Sequence, residues 1–167
     1  ELAAKLKQFS RDHNSTVFTA LLTAFEILLY RYTSQDDFLV GSLTSGRSAA
    51  AFRSVVGYFV NAIALRTRVS PELSFESLHD LVRQTVLEGM NHEDYPFGLL
   101  VERLQVERDA SRAPLFQVMF SWQQPPAPQP RELSAFALGE RGPRLQIGGL
   151  VLEPMALDTQ WSRAGIS

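Results

Sequence analysis

The sequence predicts a two-layer α/β sandwich, a mixed sheet covered by helices. Three observations predict it. An apolar run of helical length at 17–32 feeds a short apolar strand at 38–44, a helix with an apolar stripe at 75–90 follows a long alternating segment at 59–69, and a second alternating segment at 116–122 carries aromatic residues on one parity. Helices interleaved with strands in this way pack as layers about a common core. At 167 residues the chain can bury roughly two thirds of its unfolded surface, so one domain is the expected count.

Taken in order, Leu2, Ala3, Leu6 and Phe9 recur at helical spacing until Asp12-His13-Asn14 breaks the pattern. Ser15 or Thr16 is placed to cap a second helix, from Val17 to Tyr32. Its polar residues Thr19, Thr23 and Glu26 lie three and four apart on one narrow stripe, so most of its circumference must be covered. Phe38 to Thr44 reads as a buried strand, entered through Ser34-Gln35-Asp36-Asp37 and left through Ser45-Gly46-Arg47-Ser48. In the strand expected from Phe59 to Val69, Asn61, Ile63, Leu65 and Thr67 share one parity, and Ala62, Ala64, Arg66 and Arg68 the other. Without a bulge, Asn61 and Arg66 face opposite ways. Ser74 caps a helix whose Phe75, Leu78, Val82, Val86 and Met90 make an i, i+3, i+4 stripe, with Gly89 weakening its last turn. Pro96 suits the first turn of a further helix that buries Phe97, Leu100, Val101 and Leu104. Phe116, Val118, Phe120 and Trp122 then form the core face of a strand. Pro125-Pro126-Ala127-Pro128-Gln129-Pro130 starts an exposed loop, spanning 125–144, because proline lacks the amide donor and restrains its predecessor. A final strand is expected from about Leu145 to Leu152.

Composition narrows the function. Hydrophobic residues at 45%, charged residues at 20% and a formal net charge of −2 are those of a globular protein with no basic field for nucleic acid. Cysteine is absent, which removes disulfides, thiolate nucleophiles and cysteine metal sites. The apolar run at 17–32 is interrupted by Glu26 and Arg31 and falls short of the roughly 20 apolar residues of a membrane span. A cytoplasmic location is therefore expected, without membrane or nucleic-acid partners. The chain opens on Glu1 instead of Met and stops at Ile166-Ser167 without a polar tail, so both borders are expected to be cut from a longer protein.

The chemistry-bearing residues are few. His13, His79 and His92 are scattered, which gives no metal-ligand spacing. His92, beside Glu93 and Asp94 at a helix-to-helix junction, could act as a base, but a cap or surface hydrogen-bonding role explains the same residues more simply. His79 borders the stripe of its helix, with Glu76 and Arg83 within reach, and His13 falls in a loop expected to be solvated. No Gly-x-Ser-x-Gly elbow accompanies any serine. Ser42 to Arg47 could receive a phosphate but lacks the P-loop pattern and its lysine, so it reads as a strand exit. Asn14-Ser15-Thr16 matches a glycosylation acceptor, though helix capping explains the same residues more simply. Asp109 and Arg112 are spaced for a local ion pair that orders the turn before the last aromatic strand. Asn61, an amide on an apolar parity, must be either satisfied in the core or turned towards a cavity.

Three segments carry a resemblance. They are Val56-Gly57-Tyr58-Phe59-Val60-Asn61-Ala62 ending at Arg66, Asn91-His92-Glu93-Asp94-Tyr95-Pro96-Phe97, and Arg108-Asp109-Ala110-Ser111-Arg112-Ala113-Pro114-Leu115. In order and spacing they resemble late motifs of the condensation domains of nonribosomal peptide synthetases. Thr16 to Tyr32 and Val40 to Arg47 resemble the helix and strand that precede these motifs, and the likeness continues more weakly to Leu157. Departures are Ala62 for Thr, Glu93 for Gln, Gly98 for Glu, Ala113 for Asn, and a long Pro-rich loop.

The resemblance implies one lobe of a chloramphenicol-acetyltransferase-like fold, residues 1–167 being the C-terminal lobe of two that flank a reaction tunnel. It also implies where the chemistry lies. The family's His-His-x-x-x-Asp-Gly motif does not occur here, so no catalytic residue is expected in this chain and the catalytic His is expected upstream of Glu1. By resemblance the tunnel or motif residues are Tyr58, Asn61, Arg66, His92, Asp94, Pro96, Phe97, Arg108, Asp109 and Arg112. The implied reaction joins an acyl or peptidyl thioester to an aminoacyl thioester as an amide. Both substrates ride on phosphopantetheine arms of donor and acceptor peptidyl carrier proteins, and no cofactor is bound directly. The N-terminal lobe and a neighbouring adenylation domain complete the implied partners. A non-catalytic docking module, or a heterocyclising, epimerising or ester-forming relative, remain alternatives, although the wording of Tyr58-Phe59-Val60-Asn61 and Tyr95-Pro96-Phe97 favours condensation over epimerisation.

Overall fold

The computed structural model describes residues 1–106, 109, 111–122, 135–136 and 139–156. The chain divides into two compact units, the first holding Glu1–Ser121 and the second lying within Trp122–Arg163. In the first, helices α1 (Leu2–Asp12) and α2 (Val17–Thr33) lead into strand β1 (Asp37–Thr44), and β2 (Asn61–Arg68) precedes helices α3 (Phe75–Asn91) and α4 (Phe97–Arg103) and strand β3 (Val118–Met119). The sheet order is β2-β1-β3, with β1 antiparallel to β2 and parallel to β3. This is the mixed α/β arrangement that the sequence predicts.

The helix starts follow from their caps. The Thr16 side chain accepts the Thr19 amide at 3.1 Å, and the Ser74 side chain accepts that of Ser77 at 3.1 Å, each meeting an amide the first turn leaves open. α2 stops at Ser34, whose left-handed φ of 56° turns the chain towards β1.

The polar stripe of α2 is the buried one. Thr19, Thr23 and Glu26 face the sheet, while the apolar Leu28 and Tyr32 are exposed. The inversion is possible because the stripe finds partners: Thr23 Oγ1 donates to the Thr19 carbonyl at 2.9 Å, and Glu26 accepts from Thr67 Oγ1 at 2.9 Å. Around that contact Leu22 and Leu29 of α2, Leu78 and Val82 of α3, Val40 of β1, and Ile63 and Leu65 of β2 make the core. Gly89 has a packing reason beyond its helix propensity. A side chain there would meet Leu65 Cδ2 at 2.8 Å, so the glycine lets α3 lie close on β2.

On the opposite sheet face, Gly41 leaves room for Phe116, three of whose ring atoms would lie 2.3–2.6 Å from an added Cβ. Phe116 packs at a tilt on Phe97 of α4, ring centroids 5.2 Å apart, and so lies on the face away from the core that its parity predicts for it, the left-handed φ of 70° at Leu115 turning the chain just before it. β3 is shorter than the alternation predicts, yet it is held at its end: Phe120 N–H donates to Gly41 O at 2.8 Å and Ser42 Oγ donates to Phe120 O at 3.0 Å. The Phe120 ring packs against Phe18 and Phe25, as the aromatic parity predicts, whereas Trp122 is exposed. Leu104, expected to be buried, is also exposed, because α4 ends at Arg103 and Gln105 turns left-handed with φ 48°.

The histidine expectations change most. His79 is fully buried and hydrogen-bonds Ser15 Oγ at 2.8 Å, in place of Glu76 or Arg83. His13 is half-buried: its ring lies 4.1 Å from that of Phe9, its Nδ1 hydrogen-bonds Phe9 O at 2.9 Å, and it meets His79 edge-on at 5.6 Å. Aromatic stacking, invisible to periodicity, draws both imidazoles in.

In the second unit the final strand is a hairpin. β4 (Leu145–Ile147) pairs with β5 (Leu150–Leu152) across Gly148-Gly149, both with positive φ, as a two-residue turn of the twisted kind requires. The Pro-rich segment 125–130 and Leu157 to Trp161 lie outside the described residues.

Candidate functional site

Asn61 opens β2 on the helix-facing parity, and its side chain ties two of the sequence motifs together. Its Nδ2 donates to the carbonyls of Glu93 at 2.8 Å and Tyr95 at 2.7 Å, and its Oδ1 accepts the Phe97 amide at 3.1 Å. The amide of the first motif thus closes the α3–α4 junction formed by the second. It also serves as the N-terminal cap that Pro96, with no side-chain donor or acceptor, cannot give α4. Of the two fates open to Asn61, satisfaction by hydrogen bonds is the one observed.

The neighbours of this clamp come from a third segment. Ser48 Oγ donates to Asp94 Oδ1 at 3.2 Å, fastening the 46–59 loop to the same junction. That loop wraps Arg47, whose guanidinium donates to the carbonyls of Phe52, of Val55 at 2.7 Å and of Gly57 at 3.2 Å, and lies 4.3 Å from the centre of the Phe59 ring. Gly46, at φ 60°, sits where any side chain would strike the Phe59 carbonyl. Arg47 is therefore committed to the loop and is not offered to a phosphate. The loop projects Val56 and Tyr58 outward, at 99% and 88% exposure. His92 is exposed at the C-terminus of α3, and its carbonyl accepts the Tyr95 amide at 3.0 Å.

Arg66 belongs elsewhere. The β1–β2 pairing is regular over all eight residues, so Arg66 faces away from Asn61, as parity predicts. Its guanidinium grips Asp37 with two bonds of 2.8 and 2.7 Å, and Arg68 adds a third at 3.0 Å. The Arg66 hydrogen bond above all holds the Asp37 carboxyl down at about 2. Both residues border a groove of about 660 Å³ whose apolar wall includes Leu29, Phe38 and Leu104. Asp109 accepts the Ser111 amide at 2.8 Å and its hydroxyl at 2.6 Å, bonds that lower its pKa, and lies 3.7 Å from Arg112, so it orders the turn before Phe116. Arg108 lies outside the described residues. The predicted site residues thus form one joined group (Asn61, His92, Asp94, Pro96 and Phe97), with Arg66 and the Asp109–Arg112 turn as separate features.

Sequence reasoning missed Asp37, Ser48 and the partner of Glu26. Asp37 pairs with Arg66 and Arg68 only through the strand register, and Ser48 with Asp94 only through the loop fold, so neither had a local signal. Glu26 carried one: a carboxylate in line with Thr19 and Thr23 on the single polar stripe of a mostly apolar helix. Its carboxyl is pushed up to about 7, by burial first, with the Thr67 bond pulling the other way. Among the described residues, no group of three or more acidic or imidazole side chains gathers to hold a metal.

A scaffold that unites such motifs invites comparison with known proteins. A family model described as the condensation domain matches residues 1–147. The chain belongs to the condensation domain family. It is 42% identical over 120 residues to tyrocidine synthase 2 of Brevibacillus parabrevis, a match covering 72% of this chain and 3% of that protein. Its condensation-domain fold superimposes on a holo four-domain nonribosomal peptide synthetase bound to AMP and glycine, with a TM-score of 0.84 at 22% identity, over 96% of this chain and 12% of that one. The condensation domain of the monacolin K polyketide synthase matches with a TM-score of 0.69 at 32% identity, over 75% of this chain and 29% of that one. The chain therefore spans a small part of the length of its relatives. No helix among the described residues is long and apolar enough to cross a membrane.

Proposed function

We propose that this chain is the C-terminal lobe of a condensation domain that joins two carrier-borne thioesters. The amine of an aminoacyl group attacks the carbonyl carbon of a donor acyl or peptidyl thioester. A C–N bond forms, the C–S bond breaks, the donor arm leaves as a thiol, and the amine gives up a proton. Both substrates arrive on phosphopantetheine arms of peptidyl carrier proteins, delivered alongside an adenylation domain. This lobe contributes a tunnel wall and a rigid scaffold, and the lobe that precedes it contributes the His-His-x-x-x-Asp-Gly histidine.

The observation that carries the reading is the Asn61 clamp. Two family-like motifs converge on it, yet it consists of a neutral amide bonded to backbone, with nothing to accept a proton from an amine. His13 and His79 are engaged in an aromatic cluster. The exposed Val56 and Tyr58 suit a face that another lobe or a substrate covers. Positioning, not proton transfer, is what this arrangement supplies.

The test is condensation of a loaded donor carrier with a loaded acceptor carrier. A domain comprising this sequence and the segment that precedes it is expected to yield the amide, and residues 1–167 alone to give no more than the uncatalysed rate. Turnover by the isolated chain would overturn the assignment of chemistry, and no turnover by the whole domain, with carrier binding retained, would favour a docking module.

A further inference from the structure

We infer that Arg47 is a positioning residue for the amide-forming reaction: it fixes the 48–58 loop that presents Val56 and Tyr58 to the reaction path. The inference rests on the amide-forming reading and adds to it a residue outside the three motifs. Its ground is a mismatch between how firmly the loop is held and how little it buries. A single guanidinium gathers three carbonyls, from Phe52, Val55 and Gly57, and stacks on Phe59, itself 5.6 Å from the ring of Phe52. The planar fork donates from two nitrogens, Nη1 to Phe52 and Val55 and Nη2 to Gly57, whereas a lysine ammonium donates from one nitrogen on a flexible stem and does not reproduce that geometry. Ser48 then bonds Asp94, so the loop is also fastened to the junction closed by Asn61. The loop nevertheless contributes no residue to the buried core, and it leaves the large side chains of Val56 and Tyr58 exposed.

Ordering the eleven residues of 48–58 costs conformational entropy that this loop does not recover by burial within the lobe. An ordered apolar projection next to the clamp is suited to shaping a wall against which the reacting thioester is held. The guanidinium touches only the loop, so its effect on the reaction passes through Val56 and Tyr58.

The test compares wild type, Arg47→Gln and Arg47→Lys in the whole condensation domain. Both variants are expected to form amide about tenfold more slowly in a single turnover, with KM for the aminoacyl carrier protein within about twofold, because orientation is lost and docking is not. Chymotrypsin is expected to cut the loop at Phe52, Tyr58 or Phe59 about tenfold faster in both, at an unchanged thermal midpoint. Lysine keeps the charge and the aliphatic stem over Phe59, so it folds even if glutamine does not, and it is expected not to rescue the rate. Unchanged loop cleavage, or faster cleavage with an unchanged amide rate, would overturn the inference. If wild type forms no amide, the amide-forming reading fails, and with it the reaction role of Arg47, while the cleavage comparison still reports whether Arg47 holds the loop.

Discussion

Replacing Asn61 with alanine is expected to destabilise the protein by about 2–4 kcal/mol, because two carbonyls and one amide lose their partner together. The side chain is half-buried, and its three bonds span from the start of β2 to the first amide of α4. Asn61→Asp is expected to be worse than Asn61→Ala, since a carboxylate cannot donate to the Glu93 and Tyr95 carbonyls and is repelled by them. Amide formation in the whole domain should fall about a hundredfold in the folded fraction, the cost of moving a wall by roughly an ångström. Thermal unfolding and single-turnover rates on the same preparations check both parts. An Asn61→Asp variant as stable as wild type would show that the two carbonyl bonds contribute nothing.

Glu26→Gln is expected to stabilise the protein, and to do so only above mildly acidic pH. The Glu26 carboxyl has a folded pKa of about 7 against an ordinary 4.5. Below pH 4.5 the folded and unfolded chains are both protonated there. As pH rises towards 7 the unfolded chain loses a proton that the folded chain retains, so wild-type stability falls through this window and is level above it. The drop is about 3 kcal/mol. Glutamine keeps an acceptor for Thr67 Oγ1 and carries no charge, so the variant should match wild type near pH 4 and exceed it by about 3 kcal/mol at pH 8. His79 tilts both curves the other way: burial first, then His13, lowers its pKa, so its contribution is lost as pH falls below 6.5. The difference between the two curves isolates Glu26. Urea unfolding at a series of pH values measures it, and a difference independent of pH would contradict the buried-carboxyl account.

Much of this fold was legible because local rules and tertiary packing agree in it. Thr16 and Ser74 cap the helices they precede, β2 shows its parity in the sequence, and Phe120 meets the core. The departures came where tertiary contacts decide. A polar stripe signals solvent only if its groups lack partners inside, and Glu26 found Thr67 forty-one residues away. His79 found Ser15, sixty-four residues away. Gly148-Gly149 did carry a hairpin signal, within what the alternation suggested was one strand. Of the candidate site, the motifs marked where to look. Their union through one asparagine needed the three-dimensional arrangement, because no spacing rule predicts that a strand residue will cap a helix thirty-six residues later.

On the proposed function, this lobe positions substrates while the proton chemistry lies in the preceding lobe. His92 tests it most directly, being the exposed histidine of the three, beside the clamp. In the whole condensation domain, His92→Ala is expected to lower the single-turnover rate of amide formation less than about threefold and leave its pH profile unshifted. Loss of a general base would cost about a hundredfold or more. A drop of that size, with the pH profile altered, would place the chemistry in this chain and contradict the account.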